Sequence, residues 1–387
     1  MLLQQTVCRY LVPERETEDK MQNLLETNVL IVGGGPAGTS AALSLLKYSD
    51  LKVVIVEETN LESVKIGEQV NSSIFDLLQY MGIDKTALDQ NNFIRGHSST
   101  AAWGSERLMV RDSIFNTETE SFQLNRKEFD YLLLENVSEK GGIIFPRTKC
   151  LSFDQDENNQ WTVNVKHETK GNFTIKADYL IDATGRMGSV CRKIGVQSKR
   201  YDELAAIGRF FYFDESQIIE QTIMIESIED GWWYCASLPN HKMTLTFFSD
   251  AQIIKEKKLE NTENWSRLLS KTKHIQHKIS KAASEGKPWV KNAFSQIADI
   301  RSSKNFLAVG DAAASFDPIS SMGIGFAISS ACHAAKAIID ADSGHENTFI
   351  NYQENINTIY HNYLTTKTFF YQKEQRWSDS VFWKKRM

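Results

Sequence analysis

The stretch VLIVGGGPAGTSAAL, residues 29–43, runs a short apolar strand into three consecutive glycines and out into a run of small residues. In Gly33-x-Gly35-x-x-Gly38 the first glycine turns the chain tightly and the second lets backbone N–H groups approach a pyrophosphate. The third lets the following helix pack against the strand. Pro36 stands near the helix start, where its missing N–H does no harm, and the helix N-terminus adds partial positive charge for phosphates. The spacing predicts a strand over 28–32, a helix from Pro36 to about Tyr48 and a second strand over 51–56. Glu57 at the end of that strand is placed to accept hydrogen bonds from a ribose hydroxyl, with Glu58 beside it. The loop alone does not separate FAD from NAD.

Working outward, 41% hydrophobic and 24% charged residues in 387 are those of a globular chain of one large or two ordinary domains. A net charge of −5 with no basic run along most of the chain speaks against nucleic-acid binding. Cys8, Cys150, Cys191, Cys235 and Cys332 form no CxxC pair, which speaks against a zinc site or a disulfide framework and fits a reducing, cytoplasmic compartment. No apolar run approaches the ~18–20 residues of a membrane span. Residues 1–26 read as a flexible or separately docked extension.

Further along, LNRKEFDYLLLENVSEKGG (124–142) carries apolar residues at helical spacing and stops at a double glycine. Between 200 and 250 four β-rich runs separated by turns suggest an antiparallel meander, followed by a helix near 263–283. Parallel βαβ elements therefore bracket an antiparallel insertion. The predicted boundaries are 27–99, 118–198 and 300–345 for the first unit, 100–117 and 199–299 for the insertion, and 346–387 for a C-terminal helical segment.

NFLAVGDAAASFDPISSMGIGFA (305–327) repeats the strand-to-glycine arrangement: a strand ends in Gly310-Asp311, a loop passes through Asp317-Pro318, and Gly323-Ile324-Gly325 open a helix. A carboxylate at a strand end suits a ribitol or ribose hydroxyl, and N–H groups at a helix start suit an electron-rich carbonyl such as the flavin pyrimidine edge. DYLIDATGR (178–186) supplies a third junction, with Asp182 and Gly185.

Three such junctions in this order resemble the FAD-dependent monooxygenase superfamily of the p-hydroxybenzoate hydroxylase type. The resemblance implies an α/β (α+β) fold: a Rossmann-like FAD-binding domain of the glutathione-reductase type with an inserted antiparallel substrate sheet and C-terminal helices. It implies FAD held by Gly33, Gly35, Pro36, Ala37, Gly38, Glu57, Glu58, Asp182, Gly185, Gly310, Asp311, Pro318, Gly323, Ile324 and Gly325. Arg126 joins them from the helix start LNRKEFD.

VKIGEQVNSS (64–73), GWWYCASLP (231–239) and FDPISSMGIG (316–325) resemble segments of flavin halogenases and their relatives, and FFYQKEQRWSDSVFWKKR (369–386) narrows the likeness. The combination is most similar to LodB- and GoxB-type flavoproteins, needed to build cysteine tryptophylquinone in partner amino-acid oxidases. The maturation hydroxylase of quinohemoprotein amine dehydrogenase is a nearby relative. Halogenases need a lysine and a loop glutamate. Here the loop has Ser320 in the glutamate's place, and FIRGHSSTAAWGS (93–105) has no lysine, so halogenation is disfavoured.

The resemblance thus implies an O2-dependent monooxygenase, with NAD(P)H or an external reductase as electron source, hydroxylating a tryptophan of a precursor amino-acid oxidase. Alternatives are a small-molecule aromatic or indole hydroxylase, a flavin-containing assembly factor without oxygenase activity and, more distantly, a reductase of unsaturated lipid. Candidate catalytic residues are Glu68 in the GE segment, His97, which could act as a base near neutral pH, and Trp232 with Tyr234. On a strand either Trp232 and Tyr234 or Trp233 and Cys235 can look onto the flavin. Asp317 sits near the flavin or caps its own loop. His274 and His277, three apart, have no nearby third ligand, so no metal is expected. The tail RWSDSVFWKKR (376–386) is either a docking surface or a packed helix.

Overall fold

A computed structural model of the chain describes residues 24–61, 65–88, 92–96, 98–112, 121–284 and 286–386. Val29–Val32 are apolar and almost wholly buried, as in a strand covered on both faces. The strand Leu24–Val32 pairs in parallel with Val53–Val56 on one side and with Gly171–Asp182 on the other. Its first residues, Leu24–Glu26, pair with Thr174–Lys176, so the expected N-terminal extension yields its last three residues to this sheet; residues 1–23 lie outside the described residues.

The seven-stranded sheet runs Ile143–Phe145, Val53–Val56, Leu24–Val32, Gly171–Asp182, Trp161–His167, Thr148–Gln155, with Phe306–Ala308 added beside the end of Gly171–Asp182. Gly171–Asp182 is long enough to serve both halves. Residues 171–177 pair antiparallel with Trp161–His167, while Leu180–Asp182 pair in parallel with Phe306–Ala308. Three strand ends, Val32, Asp182 and Ala308, are thereby brought level at one edge. The crossover helix Pro36–Tyr48 and the helix Gly323–Asp342 pack side by side over them. Small residues let them approach: Gly310 sits between Ala37 and Ala327, and Ser44 Oγ reaches Cys332 Sγ at 3.4 Å.

The second large sheet has eight strands. Leu204–Tyr212, Lys242–Asp250, Gly231–Leu238 and Thr222–Ile228 lie in that order, all antiparallel. Ser98–Ala102 continues it in parallel beside Thr222–Ile228. The expected boundary at 198/199 falls inside the strand Gln197–Arg200, which pairs with Gln296–Asp299.

The single helix expected near 263–283 is instead the helices Thr262–Leu269 and Ile275–Lys278 and a strand Ala283–Ser284. The cause is Glu226, 4% exposed on the second sheet: its carboxylate accepts the backbone N–H groups of Lys273, His274 and Ile275 at 2.5–3.0 Å. Capping the new helix start there outweighs continuing the old helix. His274 Nε2 meets the Glu106 carbonyl at 2.9 Å, and no cluster of three metal-ligating side chains occurs among the described residues. No helix among them is long and apolar enough to cross a membrane.

The C-terminal tail is packed, not displayed. Phe382 and Trp383 are 0% exposed, and Trp383 Nε1–H donates to the Ile228 carbonyl at 2.9 Å. Glu374, also fully buried, pairs with Arg376 and accepts from Gly104 N–H at 2.7 Å and Ser227 Oγ at 2.7 Å. Arg386 closes the segment with an ion pair to Asp250 at 2.5 Å. Gly104, at φ +70°, is where the tail comes closest: a Cβ there would lie 2.4 Å from the Lys373 carbonyl. The docking-surface reading of these aromatics is thereby corrected.

Candidate functional site

The glycines at the strand ends divide into two kinds. At Gly33, φ is +116° and a Cβ would sit 2.2 Å from the Ala183 carbonyl oxygen; at Gly38 it would sit 1.9 Å from that of Gly33. At Gly310, φ +57°, it would meet Ala37 Cβ at 2.8 Å. These three are demanded by the protein's own packing. Gly35, Gly185, Gly323 and Gly325 have nothing within 4 Å of a built Cβ. Gly185, at φ +70°, is required by its own backbone; the smallness of Gly35, Gly323 and Gly325 leaves main chain accessible along both helix starts, and neither helix carries a side-chain cap, so the first N–H groups of each are free for an acceptor.

Glu57 frames the first loop. Its Oε2 accepts Gly34 N–H at 2.7 Å, and its Oε1 accepts the Thr59 N–H and hydroxyl at 2.8 and 2.6 Å. The carboxylate is fixed with acceptor capacity left over. Its neighbour Glu58 is turned away, exposed and paired with Lys149 at 3.0 Å. That corrects its place among the cofactor residues, and Glu58→Ala is expected to change unfolding free energy by no more than about 0.5 kcal/mol and to leave FAD affinity unchanged, checked by urea unfolding and flavin titration.

Asp182 requires the same correction. It is 0% exposed, and its carboxylate accepts from Thr184 N–H, Thr184 Oγ1 and Cys191 N–H at 2.9, 2.6 and 2.8 Å. It braces its own turn and presents nothing outward. The outward charge at this junction belongs to Arg186, which pairs with Asp311 at 3.2 Å and donates to the Phe316 carbonyl, tying the second and third strand ends together. Sequence reading passed over Arg186, although it directly follows Gly185.

Arg126 holds the GE segment. Its Nη1 donates to the carbonyls of Ile66 and Gly67 at 2.5 and 3.0 Å while Nε and Nη2 grip Asp130 at 3.1 Å each. Burial weighs against its charge, but Asp130, with Glu68 and Asp311 adding, raises its pKa above the ordinary value. Gln69 Oε1 accepts from Ser321 Oγ at 2.9 Å, so the GE segment is joined to the loop preceding Gly323. Pro318 begins the short turn of that loop, and Ile324 is buried beneath the helix start, turned inward between the two open glycines.

Glu68 itself is 6% exposed with Oε1 unpartnered, and Gln123, 2% exposed, has both amide atoms unpartnered. Burial pushes the Glu68 carboxyl up to about 7 against the opposing pull of Arg126 and Lys242. The second sheet faces this region with Tyr234 and Lys242. Burial, with the Glu68 carboxyl adding, drives the Tyr234 hydroxyl well above its ordinary pKa, so it stays protonated. Lys242 lies 3.7 Å above the Phe210 ring, its pKa lowered by burial. The fold thus delivers a lysine to this face from residue 242, which the scan of 93–105 did not reveal. His97 lies outside the described residues.

Of the two possible faces of the tryptophan strand, Trp232 and Tyr234 point toward the loop at 317–325, in a cluster with Ile319; Trp233 and Cys235 point to the opposite core with Phe247 and Trp265. Trp232, however, is fully buried, stacked on Phe248 at 4.2 Å, its N–H given to Tyr371. It is a packing and hydrogen-bonding element and not a surface for substrate, which corrects its expected catalytic contact.

Comparison with known proteins identifies the family and the fold. The chain is 37% identical over 360 residues to "Putative FAD-dependent oxidoreductase LodB" of Marinomonas mediterranea, covering 93% of this chain and 96% of that protein. Among solved structures, the flavin-dependent halogenase CmlS superposes with a TM-score of 0.83 at 25% identity over 95% of this chain and 68% of that one. QhpG, a peptidyl tryptophan dihydroxylase essential for tryptophylquinone cofactor biogenesis, shares the fold with a TM-score of 0.73 at 20% identity, over 93% of this chain and 78% of its own. Residues 26–354 match the FAD binding domain family, and the chain belongs to it: an FAD-dependent oxidoreductase.

Proposed function

We propose that the protein is a monooxygenase that hydroxylates a tryptophan side chain of a partner amino-acid oxidase during cysteine tryptophylquinone maturation. The observation that carries this is the face on which Glu68, Tyr234 and Lys242 come together, joined through Gln69 and Ser321 to the loop that leads into the open glycines Gly323 and Gly325. The likeness to LodB along nearly the whole chain and the shared fold with QhpG support the substrate.

Gly35, Pro36 and Ala37 would hold the pyrophosphate of FAD and Glu57 its ribose, while Gly33 and Gly38 shape the turn. Asp311 and Arg126 would hold its middle beside Gly185, Gly310 shapes that junction by packing on Ala37, and Pro318 with Gly323–Gly325 would hold its pyrimidine edge. When bound and reduced by NAD(P)H or an external reductase, it supplies the electrons that split O2, one oxygen entering the ring as hydroxyl and the other leaving as water. The protein's part is placement and proton handling. Tyr234, held protonated, donates a hydrogen bond to the substrate's polar atom. Glu68 in its ionised form takes the proton that the ring carbon releases as the C–O bond is completed. The buried surroundings keep bulk water from the reacting atoms. The four described cysteines are buried free thiols, which suits a reducing cytoplasm.

Reduced, FAD-loaded protein given O2 and the precursor is expected to add one or two oxygen atoms to one precursor tryptophan, read by peptide mass spectrometry. A halogen adduct in the presence of bromide, or binding without any mass change, would replace this reading with halogenation or with an assembly role.

A further inference from the structure

The helix Thr348–Gln372 ends beside the loop at 317–325 and reaches it with two tyrosines eight residues apart. Tyr363 Oη accepts the Asp317 backbone N–H at 2.7 Å and is itself braced by Ser295 Oγ at 2.7 Å, which Lys367 also contacts at 3.0 Å. Tyr371, 1% exposed, donates its hydroxyl proton to Asp317 Oδ2 at 2.8 Å and accepts Trp232 Nε1–H at 3.0 Å. Asp317, also 1% exposed, uses Oδ1 to accept Ile319 N–H at 3.0 Å and so turns the chain into Pro318–Ser320. One helix therefore holds the first residue of the loop by both its main chain and its carboxylate. Ser321, at φ +51°, is held at the other end by Gln69.

Together with Gln69 at Ser321 and Arg186 at the Phe316 carbonyl, these contacts fix the direction in which Gly323 and Gly325 are presented. A buried carboxylate that loses one of two donors leaves an unsatisfied charge, and a loop built on it relaxes to recover a partner. We propose that Tyr371 is a positioning residue for the loop 318–325, so that the C-terminal helix sets the surroundings of the flavin ring. This rests on the reading that the loop meets the flavin.

The test compares wild type, Tyr371→Phe, Asp317→Asn and Phe382→Leu as full-length chains reconstituted with FAD, measuring FAD affinity, visible spectrum, midpoint potential and Tm. Tyr371→Phe is expected to weaken FAD binding about tenfold, the worth of one hydrogen bond to a charged group, and to shift spectrum and potential. Asp317→Asn reproduces the shift, and the double variant is no worse than the worse single one, because both remove the same contact. Phe382→Leu trims the same cluster without touching a polar atom of the loop; it lowers Tm and keeps the spectrum. If Tyr371→Phe fails to fold, Asp317→Asn carries the test, since it leaves the ring packing whole. A folded Tyr371→Phe with wild-type spectrum, potential and affinity overturns the inference alone. A wild-type chain that binds no FAD brings down the placement of the flavin with it.

Discussion

Gly35→Val gives a protein that unfolds at the wild-type temperature and no longer turns yellow with FAD, whereas Gly38→Ala loses stability before any flavin is added. The two glycines belong to one six-residue motif but answer to different neighbours. Gly35 has φ −79° and ψ −176°, extended backbone that any residue adopts, and no protein atom within 4 Å of a built Cβ. A side chain there meets only the ligand. It blocks the approach of phosphate oxygens to the N–H groups at the helix start, and the loss of two charge-assisted hydrogen bonds weakens FAD by at least about 10²-fold. Gly38 lies inside the first turn of the helix, and a Cβ 1.9 Å from the Gly33 carbonyl oxygen forces backbone apart. Overpacking against rigid main chain costs about 3 kcal/mol, so this variant shows a lowered Tm even before flavin is added. Thermal unfolding of the apoproteins and flavin titration separate the two cases. A yellow Gly35→Val protein would remove the pyrophosphate from this loop.

How far the sequence showed this in advance follows from which forces act locally. The strand–glycine–helix unit at 28–56 and the four strands between 204 and 250 were legible because alternation, turn residues and glycine spacing are local signals. The placement of Glu57 was legible for the same reason, being fixed by a strand end. The inward turn of Asp182 was not, since a carboxylate at a strand end is equally suited to a ligand or to its own loop, and only the neighbouring Thr184 and Cys191 N–H groups decide. The break of the helix near residue 270 depends on Glu226, nearly fifty residues earlier on a strand. Lys242 reaches the site from a register position opposite Tyr212, a consequence of strand pairing, and no motif marks it. The tail's aromatics alternate with charges in a pattern that fits a binding surface and a packed segment alike. What settles it is the set of buried carbonyl and carboxylate partners, such as Ile228 and Asp250, that the rest of the fold supplies.

Glu68→Gln separates a proton acceptor from a structural carboxyl because the two roles respond oppositely to pH. Burial raises the Glu68 pKa from 4.5 to about 7 in the folded chain. Between these values the unfolded chain gives up its proton and the folded chain keeps it. The carboxyl's contribution to stability is therefore whole below 4.5 and lost as pH rises through about 7, a difference of about 3 kcal/mol at 1.36 kcal/mol per unit. Glutamine has the same shape and no charge to bury. The variant is expected to match wild type in urea unfolding near pH 4 and to exceed it by up to about 3 kcal/mol at pH 8. Single-turnover hydroxylation is expected to move the other way, falling about 10²-fold and losing the inflection near neutral pH expected of the wild type, because the ionised form is the one that accepts the proton. A carboxyl that destabilises the protein at the pH where it works is the mark of a group retained for chemistry. Unchanged turnover with the same pH profile in Glu68→Gln would leave Glu68 a buried cost without a catalytic use, and would move the proton acceptor to another residue of this face.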